Sequence, residues 1–370
     1  MSCDFLALAQ PGVQKLSPYV PGKPVEELAR ELGLNPSDIV KLASNENPLG
    51  PSPLAVQAIQ AALPELTRYP DGNGFALKQA LSERFDVPPA MITLGNGSND
   101  ILELITRAFV GPQHEVVFSE HAFAVYPIVT QAVGAKAIVV PAKNWGHDLS
   151  AMADALTPAT RLVFIANPNN PTGTWISRGD LEAFLERVPE NVIVVLDEAY
   201  TEYVEASDMP SGLDYVSSRP NLLVSRTFSK AYGLAALRVG YAISDPAIAD
   251  AMNRVRQPFN VNSLALAAAV AALGDVNYLG ESRVVNRQGM LQLEAGLADM
   301  GLDWIPSRGN FIAVDLRREA APVFQALLRE GVIVRPVANY GMPNHLRVTI
   351  GLKNENQRFL DALARVLASV

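Results

Sequence analysis

The chain has 370 residues, of which 49% are hydrophobic and 18% charged, and its formal net charge is −8. At roughly 100–200 residues per domain, this length predicts two or three domains with sizeable cores. The hydrophobic fraction excludes a disordered chain. The negative net charge argues against a general nucleic-acid-binding protein, although a local basic pocket remains compatible with it.

The first residues and the single cysteine indicate the compartment. Cys3 cannot form an internal disulfide or a zinc cluster, which predicts a reducing environment. Asp4 precedes the first lysine, so the start lacks the basic region of a secretory signal. The longest apolar run, Leu264–Leu273, is far shorter than the ~20 residues that span a bilayer. We therefore expect a cytoplasmic enzyme that acts on small molecules, without a nucleic-acid or membrane partner.

Short β-branched runs alternate with stretches of helical spacing over the middle of the chain. Strands are predicted at Met91–Leu94, Glu115–Ser119, Ala137–Val140, Arg161–Ala166, Asn191–Leu196, Asn221–Ser225 and Val239–Ile243. Helices are predicted between several of them, at Asn99–Phe109, Tyr126–Val133 and Arg178–Arg187. This alternation predicts an α/β domain with a mainly parallel central sheet flanked by helices. We place this large domain at residues 46–260.

The two ends of the chain have other patterns. An Ala-rich stretch, Val261–Leu273, predicts a buried helix that leads away from the large domain. Two predicted strands, Phe311–Asp315 and His345–Ile350, and helices at 320–330 and 354–369 indicate a smaller α+β domain over residues 261–370. Residues 1–45 contain one helical stretch, Val25–Leu32, and are predicted to form an arm and part of this small domain.

The polar groups that follow the predicted strands are the candidate site, because ligands of an open α/β sheet bind beyond the carboxyl ends of its strands. The first group is Gly97-Ser98-Asn99, whose backbone N–H groups at a helix start would suit an anion. Alone, it more often marks a simple strand-to-helix turn capped by Ser98 or Asn99. The second group surrounds Asn170, between Pro168 and Pro171, in a stiff loop that can hold an amide in one orientation.

The third group is Asp197-Glu198-Ala199-Tyr200, directly after an apolar run. A carboxylate that ends a buried strand needs a partner, since an unpaired buried charge is costly. A cationic ring nitrogen would supply one. A cap for a following helix is the equally weighted alternative for Asp197.

The fourth group surrounds Lys230 and is the most specific signal in the chain. Small and apolar neighbours would lower the pKa of this amine towards its nucleophilic form. Thr227 and Ser229 lie three residues and one residue before it, and Arg238 lies eight residues after it. The segment therefore combines an imine-forming amine with donors for an anion.

The segment Thr227–Ala236 resembles the cofactor-attachment pattern of the class II aminotransferases, within the fold-type I family of pyridoxal-phosphate enzymes. The groups around Asn170, Asp197 and Arg238 follow in the order of that family, and the resemblance covers essentially the whole chain. It implies pyridoxal 5'-phosphate as cofactor. The chain departs from the usual Leu-Ala-Gly-x-Arg run in having Ala236 for glycine, which the broader class tolerates.

The resemblance also implies roles for the candidate residues. Lys230 would attach the cofactor and move a proton, Asp197 would pair with the pyridine nitrogen, and Tyr200 would complete the catalytic set. Asn170 and Tyr200 would donate to the phenolic oxygen of the ring. The remaining cofactor-binding residues would be Thr227, Ser229, Arg238, Gly97, Ser98 and Asn99 at the phosphate, Phe123 stacked on the ring, and Tyr69 from the second subunit of a homodimer. For Phe123, a place in the core is the alternative.

A closer resemblance is to the histidinol-phosphate aminotransferases. It is carried by the segments Leu16–Tyr19, Asn45–Gly50, Arg68–Pro70, Gly331–Pro336 and Leu346–Gly351. It implies exchange of an amino group between histidinol phosphate and 2-oxoglutarate in histidine biosynthesis. One pocket must then bind a phosphate in one half-reaction and a carboxylate in the other. The planar fork of Arg347 suits both anions, and Arg335 and Tyr19 would add contacts.

Other functions stay open at this point. An aromatic amino-acid aminotransferase would use the same mechanism, and a pyridoxal-phosphate-dependent decarboxylase of a phosphorylated amino acid would use the same fold. A transcription regulator built on this fold is disfavoured, since no basic cluster or recognition helix precedes the large domain. The histidines have no metal-ligand spacing, so no metal is expected.

Overall fold

A computed structural model describes residues 3–19, 21–205 and 209–369. Its α-helices are Pro11–Gln14 (α1), Val25–Leu32 (α2), Pro53–Ala62 (α3), Phe75–Phe85 (α4), Ser98–Phe109 (α5), Val125–Ala132 (α6), Leu149–Asp154 (α7), Arg178–Arg187 (α8), Pro246–Val255 (α9), Ser263–Gly274 (α10), Val276–Asp299 (α11), Ala320–Arg329 (α12) and Lys353–Ser369 (α13). Its strands are Val40–Lys41 (β1), Ile92–Gly95 (β2), Glu115–Ser119 (β3), Lys136–Val140 (β4), Thr160–Ala166 (β5), Ile193–Asp197 (β6), Leu222–Thr227 (β7), Gly240–Ser244 (β8), Asp303–Ile305 (β9), Phe311–Asp315 (β10), Val332–Ile333 (β11), Arg335–Pro336 (β12) and His345–Thr349 (β13).

A seven-stranded sheet forms the centre of the molecule, in the order β2-β8-β7-β6-β5-β3-β4. The pairs from β7 to β4 are parallel, whereas β8 runs antiparallel to both β2 and β7. The prediction of a mainly parallel central sheet flanked by helices is therefore confirmed. Parallel strands end at the same edge, so the loops after β5, β6 and β7 come together there.

Helices cover both faces of this sheet, which explains the continuous apolar runs of its strands. Alternate residues of β5 face opposite sides. Phe164 packs with Ile101 of α5 on one face, and Val163 packs with Leu181 of α8 on the other. All four side chains are fully buried, and each such burial stabilises the fold by roughly 1.5–3 kcal/mol.

A second core lies in the C-terminal part of the chain. The antiparallel strands β12-β13-β10-β9 form a four-stranded sheet, and α11, α12 and α13 supply Leu293, Leu327 and Phe359 to its core. The short strand β1 pairs in parallel with β11. The N-terminal segment around β1 is thus tied to the C-terminal part through the sheet pairing.

Several element boundaries differ from the predictions. Asp197 is the last residue of β6 rather than a residue beyond it, and β7 extends to Thr227 rather than ending at Ser225. The long helix α11 was not predicted, because its 24 residues have no single apolar face. Among the described residues, no single helix is long and apolar enough to cross a membrane. The bent pair α10 and α11, at 81° to each other, passes that test only when taken together.

Candidate active site

One cavity opens where the carboxyl ends of β5, β6 and β7 meet the four-stranded sheet. Most of the predicted site residues line it: Tyr19, Ser98, Asn99, Phe123, Asn170, Asp197, Tyr200, Thr227, Ser229, Lys230, Arg238, Arg335 and Arg347. These residues come from segments as far apart in the chain as Tyr19 and Arg347. The fold therefore gathers the four polar groups and the C-terminal arginines at one place.

The amine of Lys230 lies inside this cavity. Its Nζ donates a hydrogen bond of 3.0 Å to the backbone carbonyl of Ser44. Burial lowers the pKa of Lys230 to about 7, and the charges of Arg347 and Arg238 act in the same direction. A large fraction of this amine is therefore neutral near neutral pH, which is the form that attacks a carbonyl.

Asp197 presents one paired and one unpaired carboxylate oxygen. Its Oδ2 accepts a hydrogen bond of 2.9 Å from the hydroxyl of Tyr126, whereas its buried Oδ1 has no partner among the described residues. Burial raises the pKa of Asp197 to about 6, while the bond from Tyr126 acts to lower it. A buried carboxylate with one free oxygen suits a cationic partner in the cavity.

The hydroxyl of Tyr200 is oriented by Asn45. Asn45 Nδ2 donates to the Tyr200 oxygen at 3.0 Å, and Thr349 of β13 donates to Asn45 Oδ1 at 3.2 Å. Because the tyrosine oxygen accepts this bond, its own proton remains available for donation. Burial raises the pKa of Tyr200 to about 12, so the hydroxyl keeps that proton at neutral pH.

The other end of the cavity has the character of an anion site. Helix α5 begins at Ser98 after Gly97, and no side chain caps it, so its first backbone N–H groups remain free for an anion. A Cβ on Gly97, where φ is +83°, would overlap the guanidinium of Arg238. Arg238 Nη1 donates to Ser229 Oγ at 3.3 Å. The helix start, the arginine and the hydroxyl thus converge on one point.

A pair of arginines lies on the side formed by the four-stranded sheet. Arg335 of β12 is directly opposite Arg347 of β13 in the antiparallel register. Arg347 donates to Asn170 Oδ1 at 2.6 Å and to the carbonyl of Ala43 at 2.7 Å. Its Nε is buried without a partner among the described residues. The guanidinium of Arg335 lies over the ring of Tyr19, 5.6 Å from its centroid.

Phe123 and Tyr69 have different positions. Phe123 lines the cavity and its ring meets Tyr126 edge-on, with 5.9 Å between centroids. Tyr69 lies outside the cavity of its own chain. Its side chain is 83% exposed and stacks on Phe259 at 4.8 Å. In a single chain, Tyr69 therefore does not meet the other candidate residues.

Sequence reasoning assigned no role to Asn45, Thr349 or Tyr126. Asn45 belongs to a segment noted only for its resemblance, and its positive φ of 55° could have marked it once the backbone was known. Tyr126 lies in the apolar first turn of α6, a pattern that also describes an ordinary core residue. No sequence signal links these side chains to Tyr200 or Asp197, because the partners are 155 and 71 positions away.

Comparison with known families agrees with this geometry. The family described as aminotransferase class I and II matches residues 37–363. The chain belongs to this family. The predictions of a fold-type I architecture and of a pyridoxal-phosphate-dependent aminotransferase are confirmed.

Individual relatives give a narrower likeness. The chain is 74% identical over 368 residues to histidinol-phosphate aminotransferase 2 of Pseudomonas fluorescens strain Pf-5, with 100% of both chains covered. It is 70% identical to histidinol-phosphate aminotransferase 2 of Pseudomonas aeruginosa, with 99% of each covered. Among solved structures, histidinol-phosphate aminotransferase from Sinorhizobium meliloti in complex with pyridoxal 5'-phosphate superposes with a TM-score of 0.88 at 32% identity, covering 97% of each chain.

Proposed function

We propose that this enzyme transfers the amino group of L-histidinol phosphate to 2-oxoglutarate, giving imidazole acetol phosphate and glutamate. The observation that carries the proposal is the meeting of Lys230, Asp197 and the arginine pair Arg335 and Arg347 in one cavity. The relatives at 70–74% identity are named for this activity. The fold alone would leave the substrate open, since one fold hosts many activities.

The residues fit pyridoxal 5'-phosphate as the resident cofactor. The unpaired Oδ1 of Asp197 would hold the pyridine nitrogen, and the free N–H groups of α5 with Arg238 and Ser229 would hold the phosphate. Tyr200 and Asn170 would donate to the phenolic oxygen, and Phe123 would lie against the ring. When bound, this cofactor supplies an electron sink for the carbanion formed at the substrate carbon.

The chain's own residues would then perform three tasks. Lys230 Nζ would attach the cofactor and afterwards move a proton between the substrate carbon and the cofactor. Asp197 would keep a proton on the ring nitrogen, because an ionised carboxylate in a buried site stabilises a neighbouring cation. Tyr200 would hold its proton towards the ring oxygen, since its own oxygen is engaged by Asn45.

The two half-reactions need one anion site for two chemical groups. Arg347 is held by Asn170 and Ala43 through its terminal nitrogens, and its Nε remains unpaired. Arg335 brings a second positive charge from the neighbouring strand. Together, two guanidinium groups suit the dianionic phosphate of histidinol phosphate, and they also accept the single carboxylate of glutamate.

A panel of amino donors tests the proposal. The purified enzyme with pyridoxal 5'-phosphate is assayed with 2-oxoglutarate and histidinol phosphate, phenylalanine, tyrosine or aspartate, and glutamate is measured. We expect the highest kcat/KM with histidinol phosphate. A higher value with phenylalanine would replace the proposal by an aromatic aminotransferase. Release of carbon dioxide without an oxo acid would identify a decarboxylase.

We further propose a cytoplasmic homodimer. The exposed Tyr69, which stacks on Phe259, lines a surface cavity together with Leu266 and Val270, and an exposed apolar patch of this kind suits an interface. The second subunit would bring its Tyr69 to the phosphate end of the cavity. The low cysteine content supports a reducing compartment.

A further inference from the structure

The hydrogen bond from Tyr126 engages only one of the two carboxylate oxygens of Asp197. The Tyr126 hydroxyl donates to Oδ2 at 2.9 Å, and Oδ1 has no partner among the residues that the structure describes. Tyr126 is completely buried, and Asp197 is 5% exposed. Water therefore does not compete for Oδ2, and the phenol is its sole donor in the described structure.

Tyr126 is held firmly by other aromatic rings. Its ring stacks on Phe164 of β5, with 4.6 Å between centroids and 5° between planes. Phe123 meets it edge-on, and Phe118 lies against it at a tilt with 6.3 Å between centroids. With its ring fixed in this way, the hydroxyl has little freedom to leave Asp197.

The direction of this hydrogen bond is also settled. Burial and the charge of Asp197 raise the pKa of Tyr126 well above its ordinary value, so the phenol keeps its proton and always donates. Two further titratable groups act on Asp197: Tyr200, whose raised pKa keeps it neutral, and Glu198, the next residue in the chain. Glu198 is already paired with Arg226 at 2.6 Å. Tyr126 is therefore the group that opposes the effect of burial on Asp197.

We propose that Tyr126 is a positioning residue for the aminotransferase reaction: its hydroxyl orients Asp197 so that Oδ1 faces the pyridine nitrogen, and it keeps the carboxylate ionised. This assignment rests on the proposed pyridoxal-phosphate site. Tyr126 contacts neither substrate nor cofactor in this arrangement. It acts through the carboxylate, in the way that outer residues orient the ligands of a metal.

The test compares Tyr126→Phe with a matched control, Tyr241→Phe. Both tyrosines are fully buried among aromatic rings. The Tyr241 hydroxyl lies near the guanidinium of Arg226 and has no carboxylate partner within the described residues, so its removal takes away a phenol oxygen without affecting a carboxylate. Both changes keep the ring, so neither opens a large cavity.

Two properties of the enzyme are measured besides turnover. The first is the dissociation constant of pyridoxal 5'-phosphate from the reconstituted protein, which we expect to rise about tenfold in Tyr126→Phe, because hydrogen bonds to charged groups are among the stronger ones in proteins. The second is the midpoint of the pH titration of the cofactor's visible absorption band. We expect it to shift to higher pH, since less positive charge on the ring leaves the attached Lys230 nitrogen more basic. Tyr241→Phe is expected to match the wild type in both.

A double-mutant cycle with Asp197→Ala, which removes the acceptor of the Tyr126 hydroxyl, separates positioning from general stability. If Tyr126 acts through the carboxylate, Tyr126→Phe changes cofactor affinity and the band midpoint in the wild-type background, and changes neither in the Asp197→Ala background. Equal effects in both backgrounds, or an unshifted midpoint with normal affinity in Tyr126→Phe, would overturn the assignment of Tyr126 alone. A wild-type enzyme that bound no pyridoxal 5'-phosphate would instead contradict the proposed function on which the assignment rests.

Discussion

Arg347 Nη1 donates a hydrogen bond of 2.6 Å to Asn170 Oδ1, joining residues that are 177 positions apart. Arg347 belongs to the four-stranded sheet, and Asn170 to the loop after β5 of the seven-stranded sheet. Because the amide oxygen is engaged, the amide nitrogen of Asn170 remains as a donor towards the cavity. The arginine that would anchor the substrate therefore also orients a side chain that would contact the cofactor.

This relationship predicts that Arg347→Lys impairs both half-reactions. A lysine cannot reproduce the two-pronged binding of an anion, and it cannot hold Asn170 and the Ala43 carbonyl together. We expect kcat/KM to fall by about tenfold or more for histidinol phosphate and for glutamate, since hydrogen bonds to charged groups contribute roughly 1.5–3 kcal/mol. The measurement is single-turnover kinetics of each half-reaction.

Arg335→Lys is the matched comparison for this prediction. Arg335 lies opposite Arg347 on the neighbouring strand. We expect its replacement by lysine to weaken the binding of histidinol phosphate more than the binding of glutamate. If Arg347→Lys lowers kcat/KM for histidinol phosphate but not for glutamate, another residue binds the carboxylate of glutamate, and Arg335 is the first candidate.

Lys230→Ala is expected to abolish turnover and the visible band of the bound cofactor. The buried amine of Lys230 is the proposed nucleophile, and no other lysine lines the cavity among the described residues. Absorbance of the purified protein measures the band. Lys41→Ala serves as a control, because Lys41 forms an ion pair with Glu46 and does not line the cavity. A Lys230→Ala protein that kept the band would mean that another lysine attaches the cofactor.

Reconstitution of the cofactor-free enzyme should depend on pH through Lys230. Its pKa is lowered to about 7, chiefly by burial, so the amine is protonated below this pH and neutral above it. Only the neutral form attacks a carbonyl. The rate of band formation after addition of pyridoxal 5'-phosphate is therefore expected to rise through pH 7 and then to level off. A rate that kept rising to pH 10 would show that the amine titrates at its ordinary value.

Asp197→Asn is expected to fold and to lose most of its activity. The substitution keeps the shape of the side chain and its partner Tyr126, but removes the charge that is proposed to stabilise a protonated ring nitrogen. Electrostatic contributions of this kind are worth roughly 10²–10³ in rate. Circular dichroism checks the fold and steady-state kinetics give kcat. Near-normal turnover would show that Asp197 has only a structural role at the end of β6.

Tyr69 is predicted to act in the active site of the second subunit of a homodimer. In the single chain it is 83% exposed and stacks on Phe259, and an aromatic ring with a polar tip suits an interface. Lys230→Ala and Tyr69→Ala chains are denatured together and refolded, after each homodimer has been found badly impaired.

The mixed dimers distinguish the two arrangements. If Tyr69 acts across the interface, one site of each mixed dimer contains both intact residues, and activity returns. If Tyr69 acts within its own chain, every site lacks one residue and mixing restores nothing. Analytical ultracentrifugation of the wild type provides the necessary control, since a monomer would rule out the dimer itself.

Much of the molecule could be predicted because its signals are local. Strand Glu115–Ser119 and helix Arg178–Arg187 were predicted with their observed bounds, since each has apolar periodicity and clear ends. The Lys230 segment predicted a nucleophilic amine from its neighbours in the chain. The predicted strand ends fall short where a strand continues into polar residues. Asp197 and Thr227 are strand residues because their backbones continue the ladder, although their side chains are polar.

The sequence by itself determined the class of fold and the kind of chemistry, and it predicts Lys230 as the residue that attaches the cofactor, because these inferences depend on residue type and short-range spacing. Only the tertiary structure decided which partners those residues have. Asn45 contacts Tyr200, Tyr126 contacts Asp197, and Arg347 contacts Asn170 through pairs of segments that lie far apart in the chain. Such contacts depend on how parallel strands end at one edge and on how the two sheets pack together, and no local pattern of residues encodes that meeting.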